Sequence, residues 1–280
     1  MLWFGKRAEP EEGRDLIRPA ALEVDFDARL LEAKLARLME HAAEHGGIEP
    51  FLEALRRKQA LFAQALAPER MASLDPGTMD TLLETVFPAR RKLPAVLDEL
   101  GPERVREAVR DLLHGEAPLP ERMGRFVALV PEDRAKARRA ARDLAAELLH
   151  FRDPVRYPLM TRWVWDSGTG TGALRELIRG NDTLREIPLN SAPETYEAAR
   201  VWLAERLREE GYYKELELLI DLVLAQAYAD YVEIMAKGVG MLAAELGTAG
   251  TRAMELVTKL LGIDPPRRSG ASRLKRPRLH

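Results

Sequence analysis

The chain predicts an all-α fold: a multi-helix array with a long C-terminal helix packed on it. Three observations lead there. Aromatic residues make up only 6% of the 280 residues. β-Branched clusters are scarce, while Ala, Leu, Glu and Arg fill most segments, a composition that favours helix over strand. Proline and glycine punctuate the periodic stretches, with Pro50, Pro102, Pro131 and Pro193 suited to first-turn positions and Gly46, Gly101, Gly115, Gly180 and Gly211 to helix ends.

Taken in order, residues 1–24 read as an irregular arm tipped by Trp3 and Phe4. Helices follow over 25–45, 49–66, 77–87, 91–100, 103–114, 120–129, 132–150, 158–166 and 172–179, which together form a main helical domain of 25–180. Residues 181–192 are a polar, proline-containing linker. A C-terminal helical layer over 193–264 comprises helices at 193–210, 213–246 and 249–261. The run from Leu216 to Met235 is the longest apolar stretch, but Glu217, Asp221, Asp230 and Glu233 interrupt it, so it reads as a buried amphipathic helix and not a membrane span. Gly238 and Gly240 would permit close approach along that helix, and a homo-oligomer seam is one expectation for it. From Pro265 a basic, disordered tail carries Arg267, Arg268, Arg273, Lys275, Arg276 and Arg278 without an acid.

Composition narrows function mainly by exclusion. Lys and Arg total 43 against 45 Asp and Glu, a formal charge of −2, so any polyanion binding must come from local patches. The absence of cysteine excludes a disulfide scaffold, a thiolate metal site and a Cys nucleophile. The first residues lack the apolar core and cleavage site of a signal peptide, and a cytoplasmic location is expected. No cofactor is implied.

The stretch from His150 to Asp166 is the richest in chemistry. It holds two of the four tryptophans, three arginines, two aspartates and two prolines in seventeen residues. Pro154 and Pro158 restrict the backbone. Arg156 and Arg162 can pair with Asp153 and Asp166 or receive an anion bidentately. The expected binding surface comprises His150, Arg152, Arg156, Tyr157, Arg162, Trp163, Trp165 and Asp166. Beside it, Ser167-Gly-Thr-Gly-Thr-Gly172 contributes Thr169 and Thr171, with Thr171 expected as a helix N-cap. A second cationic signal is the stripe Arg134, Arg138, Arg142, spaced along one helical face and suited to phosphate.

Two resemblances bear on catalysis. His41-Ala-Ala-Glu44-His45 is similar in residue order to the H-x-x-E-H motif of inverzincin metallopeptidases, which implies a metal held by His41 and His45 with Glu44 activating its water. Glu107 and Glu121 are candidate third ligands, although the mixed α/β domain of those enzymes has no counterpart here. Residues 118–166, with Pro118-Leu-Pro-Glu-Arg-Met-Gly124 followed by a helix and then Asp153-Pro-Val-Arg-Tyr-Pro158, resemble the region of helix-hairpin-helix DNA glycosylase-like proteins around their hairpin. The likeness implies a shape without the chemistry, since Thr161 stands where those proteins carry a catalytic Asp. The expected function is therefore a non-catalytic cytosolic accessory protein recognising an anionic ligand or partner through residues 150–172. That partner is a protein or a nucleic acid. The alternatives are a metal-dependent hydrolase using His41, Glu44 and His45, or a DNA-binding glycosylase-like protein.

Overall fold

Helix α1 (Ala28–Ala43) shows how the sequence pattern becomes packing. Asp27 caps it by accepting from the Arg29 amide at 2.9 Å, and Leu31, Leu35, Leu38 and Ala42 form its buried stripe. A computed structural model describes residues 16–238 and 253–264 of the protein. Those residues contain no strand or sheet; their only β-type pairings are isolated bridges between Phe26 and Ile178 and between Asp166 and Thr171. The expected all-α array is what the chain forms.

The remaining helices are α2 (Glu49–Ala65), α3 (Pro76–Glu84), α4 (Ala89–Lys92), α5 (Pro94–Leu100), α6 (Pro102–His114), α7 (Leu119–Ala128), α8 (Ala135–Arg152), α9 (Pro193–Glu209), α10 (Leu216–Gly238) and α11 (Ala253–Leu260). Short 3₁₀ segments lie at Pro68–Ser73 and Ala173–Leu177. Two helices act as axes. From Asp143 to Phe151, α8 is buried on every side, and α2, α4, α6 and α7 pack around it. Helix α10 is buried almost continuously from Leu216 to Val232 and is covered by α1, α2, α9, α11 and the 3₁₀ turn at 173–177. Helix α2 touches both axes, and Phe62 meets Phe151 of α8 with ring centroids 5.6 Å apart. One apolar cluster extends from Phe26 to Leu261.

Several expected elements come out differently. The helix predicted over 91–100 is divided at Leu93, because Pro94 has no amide to continue the ladder and instead opens α5. Pro131 precedes α8 by a four-residue turn and is not in its first helical turn. The helix predicted over 158–166 does not form. Its backbone groups are claimed elsewhere: the Arg162 amide donates to Asp143 Oδ1 at 2.8 Å, while Trp163 and Val164 carbonyls accept from Ala173 and Leu174. Gly172 makes that return possible, for its φ is +138° and a Cβ there would stand 2.5 Å from the Val164 carbonyl oxygen. The 181–192 stretch is tied down as well, with Leu189 buried and its carbonyl accepting from Trp165 Nε1 at 3.2 Å. Among the described residues no helix is long and apolar enough to cross a membrane. Trp3, Phe4, Gly240 and the basic tail from Pro265 lie outside the described residues.

Candidate functional site

Two adjoining cavities open along the first half of α8. Face periodicity places Lys136, Arg139, Ala140 and Asp143 on one side of that helix. The α3–α4 corner brings Phe87 and Pro88 opposite, followed by Arg91 and Lys92. These side chains and Arg162 line an outer hollow of about 280 Å³. Phe87, Pro88, Asp143 and Arg162 also border an inner cavity of about 230 Å³, lined as well by Trp163, Asp166, Thr171, Tyr228, Val232, Leu256 and Leu260. The result is one cleft with a cationic part and a part where rings and aliphatic side chains join Asp143, Arg162, Asp166 and Thr171.

Its charges are unevenly satisfied. Arg162 pairs with Asp166, its Nε donating at 2.9 Å and its Nη2 in contact with the same oxygen. Arg91, Lys92, Lys136 and Arg139 are exposed, and no ion pair or hydrogen bond engages their side chains among the described residues. Neighbouring cations are spent. Arg90 grips Asp264 bidentately at 3.0 and 3.1 Å, Arg134 meets Glu99 at 2.8 Å, and Arg138 donates to the Val130 carbonyl at 3.0 Å. The cations open to the cleft are thus not the stripe picked out by four-residue spacing, but those one face away.

Asp143 sits at the junction of the two cavities. Burial pushes its carboxyl up to about 7, against the opposing pull of the Arg162 amide bond and the Arg162 and Arg142 charges; the Glu147 carboxylate adds to the rise. Near neutral pH this floor is only partly charged. Deeper in, the Trp163 and Tyr228 rings lie 6.3 Å apart, tilted by 51°. Burial, and secondarily Tyr231, push the Tyr228 phenol up to about 12, so it stays a neutral hydroxyl. Trp163 Nε1 is buried with no hydrogen-bond partner among the described residues.

Of the expected surface at 150–172, Arg162, Trp163, Asp166 and Thr171 reach this cleft. His150, Tyr157 and Trp165 are inside the protein. His150 Nε2 lies 2.8 Å from Asp221 Oδ2 and its Nδ1 lies 2.8 Å from the Tyr157 carbonyl, so the ring joins α8, α10 and the Pro154–Pro158 turn. Arg152 is half-buried at the far end of α8, and Arg156 stacks over Tyr157 with 5.6 Å to the ring centroid. Thr169 is exposed beside the cleft, its hydroxyl 2.7 Å from that of Thr171. Thr171 does not cap the following turn: Gly172 holds the N-cap position, without a side-chain bond, and Thr171 pairs back to Asp166. Thr161 is fully buried, its hydroxyl unpartnered among the described residues.

His41, Glu44 and His45 are not gathered. Helix α1 stops at Ala43, so Glu44 and His45 lie in the turn beyond it; His41 Nδ1 is 3.1 Å from Gln226 Oε1, and His45 packs edge-on against Phe51. Among the described residues no group of three or more His, Asp or Glu is arranged to hold a metal ion. Sequence reasoning missed Arg91, Lys92, Lys136, Arg139, Asp143 and Tyr228. The run Arg90-Arg91-Lys92 was a usable signal, because adjacent cations with no acid beside them in sequence depend on tertiary neighbours for a partner. The chain matches no protein-family model, curated protein or solved structure.

Proposed function

We propose that this chain is a binding protein for an anionic ligand, which enters the cleft between the α3–α4 corner and α8. The observation that carries the reading is the convergence of Arg91, Lys92, Lys136 and Arg139 on one hollow while Arg90, Arg134 and Arg138 are occupied. Holding four like charges together in the free protein is unfavourable, and a bound anion removes that repulsion. The hollow, about 280 Å³, admits an anionic end group and not a whole helix or duplex, whose widths are roughly 10 Å or more. The anion is thus a small molecule or the protruding group of a larger partner.

Isothermal titration with inorganic pyrophosphate tests this. Binding should weaken as salt rises, because exposed charges are screened over about 10 Å at 0.1 M. The double substitution Lys136→Glu and Arg139→Glu should reduce affinity by more than tenfold, whereas Arg134→Glu, outside the cleft, should leave it unchanged. Both α8 positions are exposed, so the fold should tolerate the change. Equal pyrophosphate affinity in wild type and the double variant would reject the reading.

A further inference from the structure

The cationic hollow and the apolar cavity are not two separate features. They share Phe87, Pro88, Asp143 and Arg162, and a small inorganic anion would occupy only the outer one. That anion would leave unfilled the cavity of about 230 Å³, where Phe87, Trp163, Tyr228, Val232, Leu256 and Leu260 form the apolar part of the lining. A ligand whose charge is carried at one end and whose body is apolar or planar fills both. We infer that the cleft takes a phosphorylated molecule, its phosphate among Lys136, Arg139, Arg91 and Lys92 and its apolar or planar body against Trp163, Tyr228 and Leu260. This rests on the anion-binding reading above and specifies the chemistry of the ligand.

Each half of the ligand has its own support. Two guanidiniums and two ammoniums suit a dianionic or more highly charged group better than a single carboxylate, because phosphate offers three acceptor oxygens to fork-shaped and point-like donors together. Arg162 is already neutralised by Asp166, so it walls the passage without competing for the phosphate. Burial keeps a proton on Asp143 up to about neutral pH, which lessens its repulsion of an incoming anion. Trp163 and Tyr228 meet at a tilt, not in a closed stack, and both residues line the second cavity along with Leu256 and Leu260.

Titrations with inorganic phosphate, 1-naphthyl phosphate and 1-naphthol test the inference. Naphthyl phosphate should bind at least tenfold more tightly than inorganic phosphate, and naphthol more weakly than naphthyl phosphate. Tyr228→Ser and Leu256→Ser, neither of which borders the cationic hollow, should erase that tenfold preference while pyrophosphate affinity stays put, which also shows that the variants are folded. Trp163→Phe keeps a ring in place; it should retain binding but lose the ligand-induced change in tryptophan emission. If naphthyl phosphate binds no better than inorganic phosphate while pyrophosphate still binds, the apolar body is wrong and anion binding survives. If neither pyrophosphate nor naphthyl phosphate binds, both readings fall. Adenosine triphosphate and dihexanoyl phosphatidic acid then separate a nucleotide body from an acyl one, the tighter of the two identifying the source.

Discussion

Lys58 of α2 places its ammonium 2.6 Å from Glu147 Oε2 of α8, with both side chains buried. The same nitrogen donates to the Thr85 carbonyl at 3.0 Å and the Leu261 carbonyl at 2.7 Å, and stands 4.0 Å from the centroid of the Phe151 ring. Burial pushes the Lys58 amine down and the Glu147 carboxyl up, and their mutual attraction opposes both shifts. Three acceptors match the three donors of an ammonium, so the charged form is the one this pocket holds. One side chain therefore ties α2, α8, the end of α3 and the end of α11 together.

Lys58→Met should destabilise the protein by about 3–5 kcal/mol, because it leaves Glu147 buried without its counter-charge. Lys58→Met with Glu147→Leu should recover most of that loss, since removing both ions also removes their desolvation cost. Urea denaturation of the two variants measures both. A single variant as stable as wild type would contradict the assignment.

Gly262 should resist substitution. Its φ is +64°, and a Cβ there would run into the Thr85 carbonyl oxygen that accepts from Lys58. Gly262→Ala is expected to cost about 1–3 kcal/mol. Amide hydrogen exchange should show the loss as weakened protection of Val257 and Leu260 in α11 beyond any effect on α6.

Asp143 should make stability depend on pH with a definite sign. Its folded carboxyl titrates at about 7, above the 3.8 of an ordinary aspartate, so the folded protein holds a proton that the unfolded chain releases. The contribution is present in full below about pH 4 and is lost as pH rises through about 7. The slope for one group is at most about 1.4 kcal/mol per pH unit. Melting temperatures between pH 4.5 and 8 should fall less steeply for Asp143→Asn, whose side-chain oxygen can still accept from the Arg162 amide. Parallel curves for the two proteins would refute this.

His150 should matter for stability and not for ligand. Both ring nitrogens face acceptor oxygens, those of Asp221 and the Tyr157 carbonyl, inside the protein. His150→Phe strands a buried carboxylate and a buried carbonyl, an expected loss of about 2–4 kcal/mol. Pyrophosphate affinity measured on the folded variant should be unchanged, because the ring does not border the cationic hollow.

Some of this was legible in one dimension and some was not. The apolar repeats of α1 and the proline at the start of α6 announced those helices, since both signals act within a few residues. The 158–166 segment has a helical pattern but is no helix, because Asp143 and the amides of Ala173 and Leu174 outcompete its own ladder. The dense aromatic and cationic stretch did mark one wall of the cleft through Arg162 and Trp163, yet it also included His150, Tyr157 and Trp165, which pack inward. Chemical type cannot say which side of a turn a residue faces.

Residue type and spacing alone determined that the chain is helical, where most helices begin, and that cations and rings crowd its middle. They could do so because capping, periodicity and helix propensity are local forces. Which cations stay unpaired was decided only by tertiary structure: Arg134 and Arg138 are taken by Glu99 and Val130, while Lys136 and Arg139, on the next face of the same helix, are left to the cleft. An ion pair depends on which acid another helix brings within about 4 Å, and no spacing along a single chain encodes that distance.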